Sequence, residues 1–205
     1  MGLDYYLMSV PPESQLYKDA SDHPCDDDVQ SIASVAWWLS DKRLLSDLFA
    51  EGKEDFVRGR MWVEELLRLW PSIQERRADI YRNPHMEFWL IERMYQLTIP
   101  PKWIMYGERH LGGSGSSDGG VWLNSPETCV KIANALAQIT PNTALEYFKE
   151  INASSEANDR YNRYSGSEEE AADLTAKIAA DELLKLRGFY LDAARHGDAA
   201  IASIR

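Results

Sequence analysis

The chain has 205 residues, of which 44% are apolar and 11% aromatic, enough for one sizeable core and too much for a disordered polymer. Its 33 acids against 22 bases give a net charge of −11, and the excess is shared, with 18 acids and 12 bases in residues 1–102 and 15 and 10 in residues 103–205. Without a basic half, direct binding to nucleic acid or to an anionic membrane is disfavoured, while a basic protein partner stays open.

Cys25 and Cys129 lie in unrelated contexts and read as free thiols of a reducing compartment. The opening MGLDYYLMSV has no basic leader, and no apolar run approaches the roughly 18 residues that span a bilayer. The expectation is a cytoplasmic protein. Gly2 suggests myristoylation, but Tyr6 stands where that motif takes Ser or Thr.

Leu3 to Val10 is aromatic and aliphatic, ends at Pro11 and Pro12, and reads as a first strand. Pro12 to Ala20 suits a short helix, and Ser21 to Asp28 a polar loop. Val29, Ile32, Ala33, Ala36 and Leu39 then fall on one helix face, with Asp28 as the expected N-cap. Ser40 begins another helix with Leu44, Leu45, Leu48 and Phe49 in its stripe, closed by Gly52. A third runs from about Glu54 to Trp70 and presents Gly59, Val63, Leu66 and Leu67. Ser72 to Arg82 and Met86 to Leu97 read as two more helical segments, split by Asn83 and Pro84. Lys102 to Tyr106, after a double proline, reads as a buried strand or extended link.

Ser125, Pro126 and Glu127 make a strong helix start: an N-cap acceptor, a proline with no orphan N–H, and an acid on the positive dipole end. Cys129, Ile132, Ala133, Leu136 and Ala137 follow on one face. Thr140 and Pro141 repeat the device, with Ala144, Leu145 and Phe148 inward. After a polar stretch from Asn152 to Gly166, Ser167 and Glu170 fit a capping box for a long helix that reaches His196 and stops at Gly197. Ala199 to Ile204 is the closing strand. The order predicts a single α+β domain, helix-rich, with a small sheet that includes the N-terminal and C-terminal strands.

Two stretches together carry a family likeness: HLGGSGSSDGGVWLNSPETCVKIANALAQI from His110 to Ile139, and the ending LRGFYLDAARHGDAAIASIR. They resemble the YfbM-like family of bacterial proteins, a domain of unknown function. Its members carry Leu-Gly-Gly, a variable loop, an aromatic-Leu-x-x-Pro-Glu helix entry, and a final Phe-Tyr, small-residue, Gly helix and strand. The matching positions here are Leu111 to Gly113, Trp122 to Glu127, and Phe189, Tyr190 and Gly197. Val121 departs from the tyrosine common in that family. The resemblance covers the first strand and residues from about 108 to the end, and leaves a less family-like helical block at about 50–105.

Glycines 112, 113, 115, 119 and 120 invite a phosphate-cradle reading, but no Gly-Lys-Ser/Thr runs into a helix, the loop has no base, and Asp118 stands where a dinucleotide fingerprint needs glycine. His23, His85, His110 and His196 are too far apart to pair on one helix. Asp22, His23, Cys25 and Asp26 to Asp28 read as a solvated acidic loop, so neither metal nor cofactor is expected. Cys129 falls on an apolar stripe and reads as structural.

Two functions remain. A non-catalytic protein-interaction module, such as an immunity or antitoxin-like protein occluding a basic toxin, ranks ahead of an enzyme; it rests on the acidic balance, the surplus of aromatics and the missing catalytic set. Its contact residues would be Asp26, Asp27 and Asp28, with Glu168, Glu169 and Glu170. The alternative is a small-molecule-binding protein or hydrolase with a cleft beside the glycine-rich loop, lined by Trp103, Tyr106, Glu108, His110, Asp118 and Trp122. There His110 would serve as the acid/base group. Oligomeric state is open.

Overall fold

The computed structural model describes residues 5–22, 24–40, 42–50, 57–69, 77–80, 97–113, 119–152 and 168–204. In chain order these form β1 (Tyr5–Val10), α1 (Gln15–Ser21), α2 (Asp26–Ser40), α3 (Lys42–Leu48), α4 (Val57–Leu69) and β2 (Arg77–Ile80). Then follow α5 (Lys102–Met105), β3 (Arg109–Gly112), β4 (Gly120–Asn124), α6 (Pro126–Ala137), α7 (Pro141–Asn152), α8 (Glu168–His196) and β5 (Ala199–Ile204). The helix-rich α+β reading holds, with both terminal strands in the sheet.

The sheet has five strands in the order β2-β1-β5-β4-β3, every neighbouring pair antiparallel. The first and last strands thus lie side by side, with Tyr5 opposite Ile204 and Val10 opposite Ala199. All six residues of β1 and all six of β5 are buried, so helices cover both faces. Strand alternation sorts the side chains into two cores. Tyr5, Leu7, Ala200, Ala202 and Ile204 join Cys129, Ile132, Phe148 and Leu183 of α6, α7 and α8. Tyr6, Met8, Val121, Leu123 and Ile201 join Leu16, Ile32, Leu39 and Trp62 of α1, α2 and α4. The result is a three-layer sandwich, in which each large buried side chain contributes about 1.5–3 kcal/mol of transfer free energy.

The cap chemistry appears as the residues demand. Ser125 Oγ accepts from Thr128 N at 3.3 Å, Thr140 Oγ1 accepts from Thr143 N at 3.2 Å, and Gly197 ends α8 at φ +73°, where Asp198 N donates to Ala193 O at 2.9 Å.

Three local expectations are corrected. Residues 77–80, read as helical, form an edge strand, because pairing with Tyr5 to Met8 of β1 overrides a weak local preference. Lys102 to Met105, read as extended, make one helical turn, since the fixed φ of Pro100 and Pro101 starts a turn as readily as it ends a strand: Trp103 N donates to Pro100 O and Ile104 N to Pro101 O, both at 3.0 Å. Helix α2 begins before Asp28; Val29 N donates to Cys25 O at 3.0 Å, so the N-cap is Cys25. Asp26, Asp27 and Asp28 fill the first turn, where the dipole favours acids. The expected helix at Met86 to Leu97 and the loop from Asn152 to Gly166 fall almost wholly outside the described residues, as do Gly52, Trp70 and Ser167.

Candidate functional site

The α5 turn, the β3–β4 hairpin and the start of α6 converge at one end of the sheet. Gly107 makes the approach possible: at φ +143° it brings the chain so close to β4 that a Cβ there would lie 2.8 Å from Trp122 Cβ. The next residue, Glu108, then reaches two ways. Its backbone N donates to Asn124 Oδ1 at 2.8 Å, and its carboxylate accepts from Ser125 N and from Thr128 Oγ1, both at 2.7 Å. Glu108 therefore caps α6 from another element, in the manner of a capping box whose acid is supplied by β3's flank. Desolvation alone would raise its pKa, but the hydrogen bonds from Ser125 and Thr128, helped by Lys131, outweigh it and hold the carboxyl below its ordinary value of 4.5.

Beneath Glu108 lies a buried polar node. Asn124 Nδ2 donates to Trp103 O at 2.8 Å and to Tyr190 Oη at 3.1 Å, and Tyr190 Oη donates to Ile104 O at 2.8 Å. The Tyr5 hydroxyl donates to the carbonyl of Met105. Burial pushes both phenols well up, so they stay neutral and act as donors. Three elements, β1, β4 and α8, are thereby tied to the α5 turn, and neither Asn124 nor Tyr190 was singled out by the sequence as a node.

Above the node sit three rings. Trp122 lies 5.1 Å between centroids from Tyr106 and 5.1 Å from His110, with tilted planes of 55° and 42°. The hairpin register, which sets His110 opposite Trp122, produces that contact. Trp122 and Tyr106 are half-buried and His110 is exposed. Of the six predicted pocket residues, then, Tyr106, His110 and Trp122 come together. Trp103 contributes its carbonyl to the node, Glu108 is turned to the helix start, and Asp118 lies outside the described residues. The three rings form a tilted aromatic cluster whose accessible faces can stack a planar or cationic group.

The acidic residues distribute over both helical layers. Asp26 and Asp27 are exposed, whereas Asp28 pairs with Arg58 and accepts from Cys25 Sγ at 3.2 Å; the Arg58 hydrogen bond is the main cause of its lowered pKa. That ion pair joins the first turns of α2 and α4. Beside it, exposed Val57 and Met61 stand one helical turn apart at 59% and 58% accessibility, far above an ordinary core position. Met61 also borders a concavity of about 520 Å³ shared with Gln15, Glu64, Glu65 and Arg68. Glu168, Glu169 and Glu170 begin α8, on the other face of the sheet. Among the described residues, no three His, Cys, Asp or Glu side chains are disposed to hold a metal, and no helix is long and apolar enough to cross a membrane. Trp38 and Trp62 are core, while Trp37 is half-buried.

Among solved structures, the chain is similar to YfbM from Escherichia coli, a protein of unknown function, at a TM-score of 0.51 and 16% identity over 98% of this chain and 99% of that one. The two share a fold. No protein-family model matches, and no curated relative does. At this identity the likeness speaks for architecture alone.

Proposed function

We propose that this chain is a non-catalytic, cytoplasmic interaction module of the YfbM-like family that occludes a basic protein partner, such as a toxin, with the α2 and α4 end of its helical layer. The observation that carries the reading is exposed Val57 and Met61 beside exposed Asp26, Asp27 and Glu64. Apolar area gives affinity, and the rim of acids steers a cation-rich surface and fixes its register. The net charge of −11 extends that steering over the whole molecule. Arg58 does not oppose it, because Asp28 neutralises it.

The test is capture from the native host with the full chain as bait, comparing the wild type with the Asp26→Lys, Asp27→Lys double variant and with Met61→Glu. A stoichiometric basic protein, retained by the wild type and bound at least about tenfold more weakly by both variants, is expected, with retention falling as salt rises. Recovery of no stoichiometric partner, or equal retention by all three, refutes the reading.

The second reading, a small-molecule site beside the hairpin, is favoured by the ring cluster of Tyr106, Trp122 and His110. It sits better with binding than with hydrolysis, since the neighbouring acid Glu108 is engaged by Ser125 and Thr128.

A further inference from the structure

On the opposite side of the sheet from that acidic end, the corner between α6 and α7 forms an open concavity of about 390 Å³, within the size range of small-molecule sites. Its floor is apolar and continuous with the core: Ala144 is buried, and Leu97, Ala135 and Ile139 are half-buried against the same cluster. The rim is different. Asn134 on α6 and Gln138 at its C-cap stand four residues apart, with Gln138 still in helical φ/ψ and hence on the same face, and neither side-chain amide is engaged by another side chain among the described residues. Thr143, which also lines the cavity, is already spent on Thr140, with its hydroxyl donating to Thr140 O at 3.0 Å. No Lys, Arg, Asp, Glu or His lines the cavity among the described residues.

We propose that this corner binds a neutral small molecule with an apolar body and an amide-like edge. A carboxamide offers both a donor pair and an acceptor, so Asn134 and Gln138 together match a group that presents both, such as an amide, lactam or urea. A carboxylate or ammonium entering the same space would shed hydration against an apolar floor with no counter-charge among the described residues to meet it. The floor supplies affinity and the two amides supply orientation, which is the usual division of labour in such sites.

Benzamide serves as the probe, with benzoate and benzylammonium as charged molecules of similar size, titrated into the full-length ¹⁵N-labelled protein at neutral pH. Benzamide is expected to shift the backbone amides of Asn134, Ala135, Gln138 and Ala144 saturably, with a Kd on the order of 1–10 mM for so few atoms. Both charged probes should bind at least about tenfold more weakly. Ala135→Leu, which fills the floor, should abolish the shifts, and the Asn134→Ala, Gln138→Ala double variant should weaken benzamide by about tenfold without unfolding, since both side chains are exposed. Absence of saturable shifts, equal binding of the three probes, or benzamide binding unaltered in the double variant overturns the proposal.

Discussion

Asn124→Ala removes the centre of the buried node. The side chain is 1% exposed and makes three hydrogen bonds, accepting from Glu108 N and donating to Trp103 O and Tyr190 Oη. At about 1 kcal/mol net per bond, the variant loses about 3 kcal/mol. For a chain of this length that lowers Tm by roughly 6–12 °C. Tyr190→Phe removes the donor to Ile104 O and the acceptor for Asn124, and should cost about 1.5 kcal/mol. The two share a bond, so the double variant should lose about 1 kcal/mol less than the sum of the singles. Urea unfolding followed by circular dichroism supplies all four stabilities, with an unchanged m-value confirming comparable states. A cost below about 1 kcal/mol for Asn124→Ala, or strict additivity of the pair, would show that the node does not bind these elements into one unit.

Three further outcomes follow from the same geometry. Gly59→Ala places a Cβ 2.4 Å from the buried ring of Trp38, so the gain of about 1 kcal/mol in helix propensity should be outweighed by overpacking, for a net loss of about 1–2 kcal/mol with altered tryptophan fluorescence. Glu108 has a folded-state pKa below its ordinary 4.5, so its contribution is present above about pH 4.5 and is lost as pH falls through the lower folded value; Glu108→Gln should flatten that limb of the stability curve, and parallel curves for the two proteins would contradict the capping role. Cys25 is exposed and Cys129 buried with its thiol pushed far up by desolvation, so a thiol reagent at pH 8 should titrate one thiol at once and the second only on unfolding.

What the sequence disclosed follows from how local each signal is. The starts at Ser125 and Thr140 and the stop at Gly197 are legible because a cap is satisfied within three or four residues of itself. The stripe of Val29, Ile32, Ala33 and Leu39 is legible because one helix face meets one core. Strand β2 is not: four residues, two of them charged, carry too little alternation, and only β1 makes them a strand. The ring cluster was half legible, since a hairpin across the glycine loop brings His110 opposite Trp122. Its supporting node was not, because Asn124 and Tyr190 lie 66 residues apart and meet only after α8 has folded back over the sheet. Glu108 shows the same limit, for beside His110 it reads as an acid/base partner, and only the backbone path through Gly107 turns it to α6.

The sheet also decides how the two proposed sites relate. Strand β5 alternates Ala199 and Ile201 toward one helical layer with Ala200, Ala202 and Ile204 toward the other, and its small residues let both layers pack closely on a single strand. Met61 and the exposed acids belong to the α2 and α4 layer, whereas Asn134 and Gln138 lie on α6 and at its C-cap on the far face. Sites separated by a packed sheet share no side chain through which a surface substitution can act, so their effects should add. The Asp26→Lys, Asp27→Lys variant should therefore keep benzamide binding at wild-type strength, and the Asn134→Ala, Gln138→Ala variant should keep its protein partner. Coupling between them would require a displacement of β5 itself, which the buried rows on both of its faces oppose.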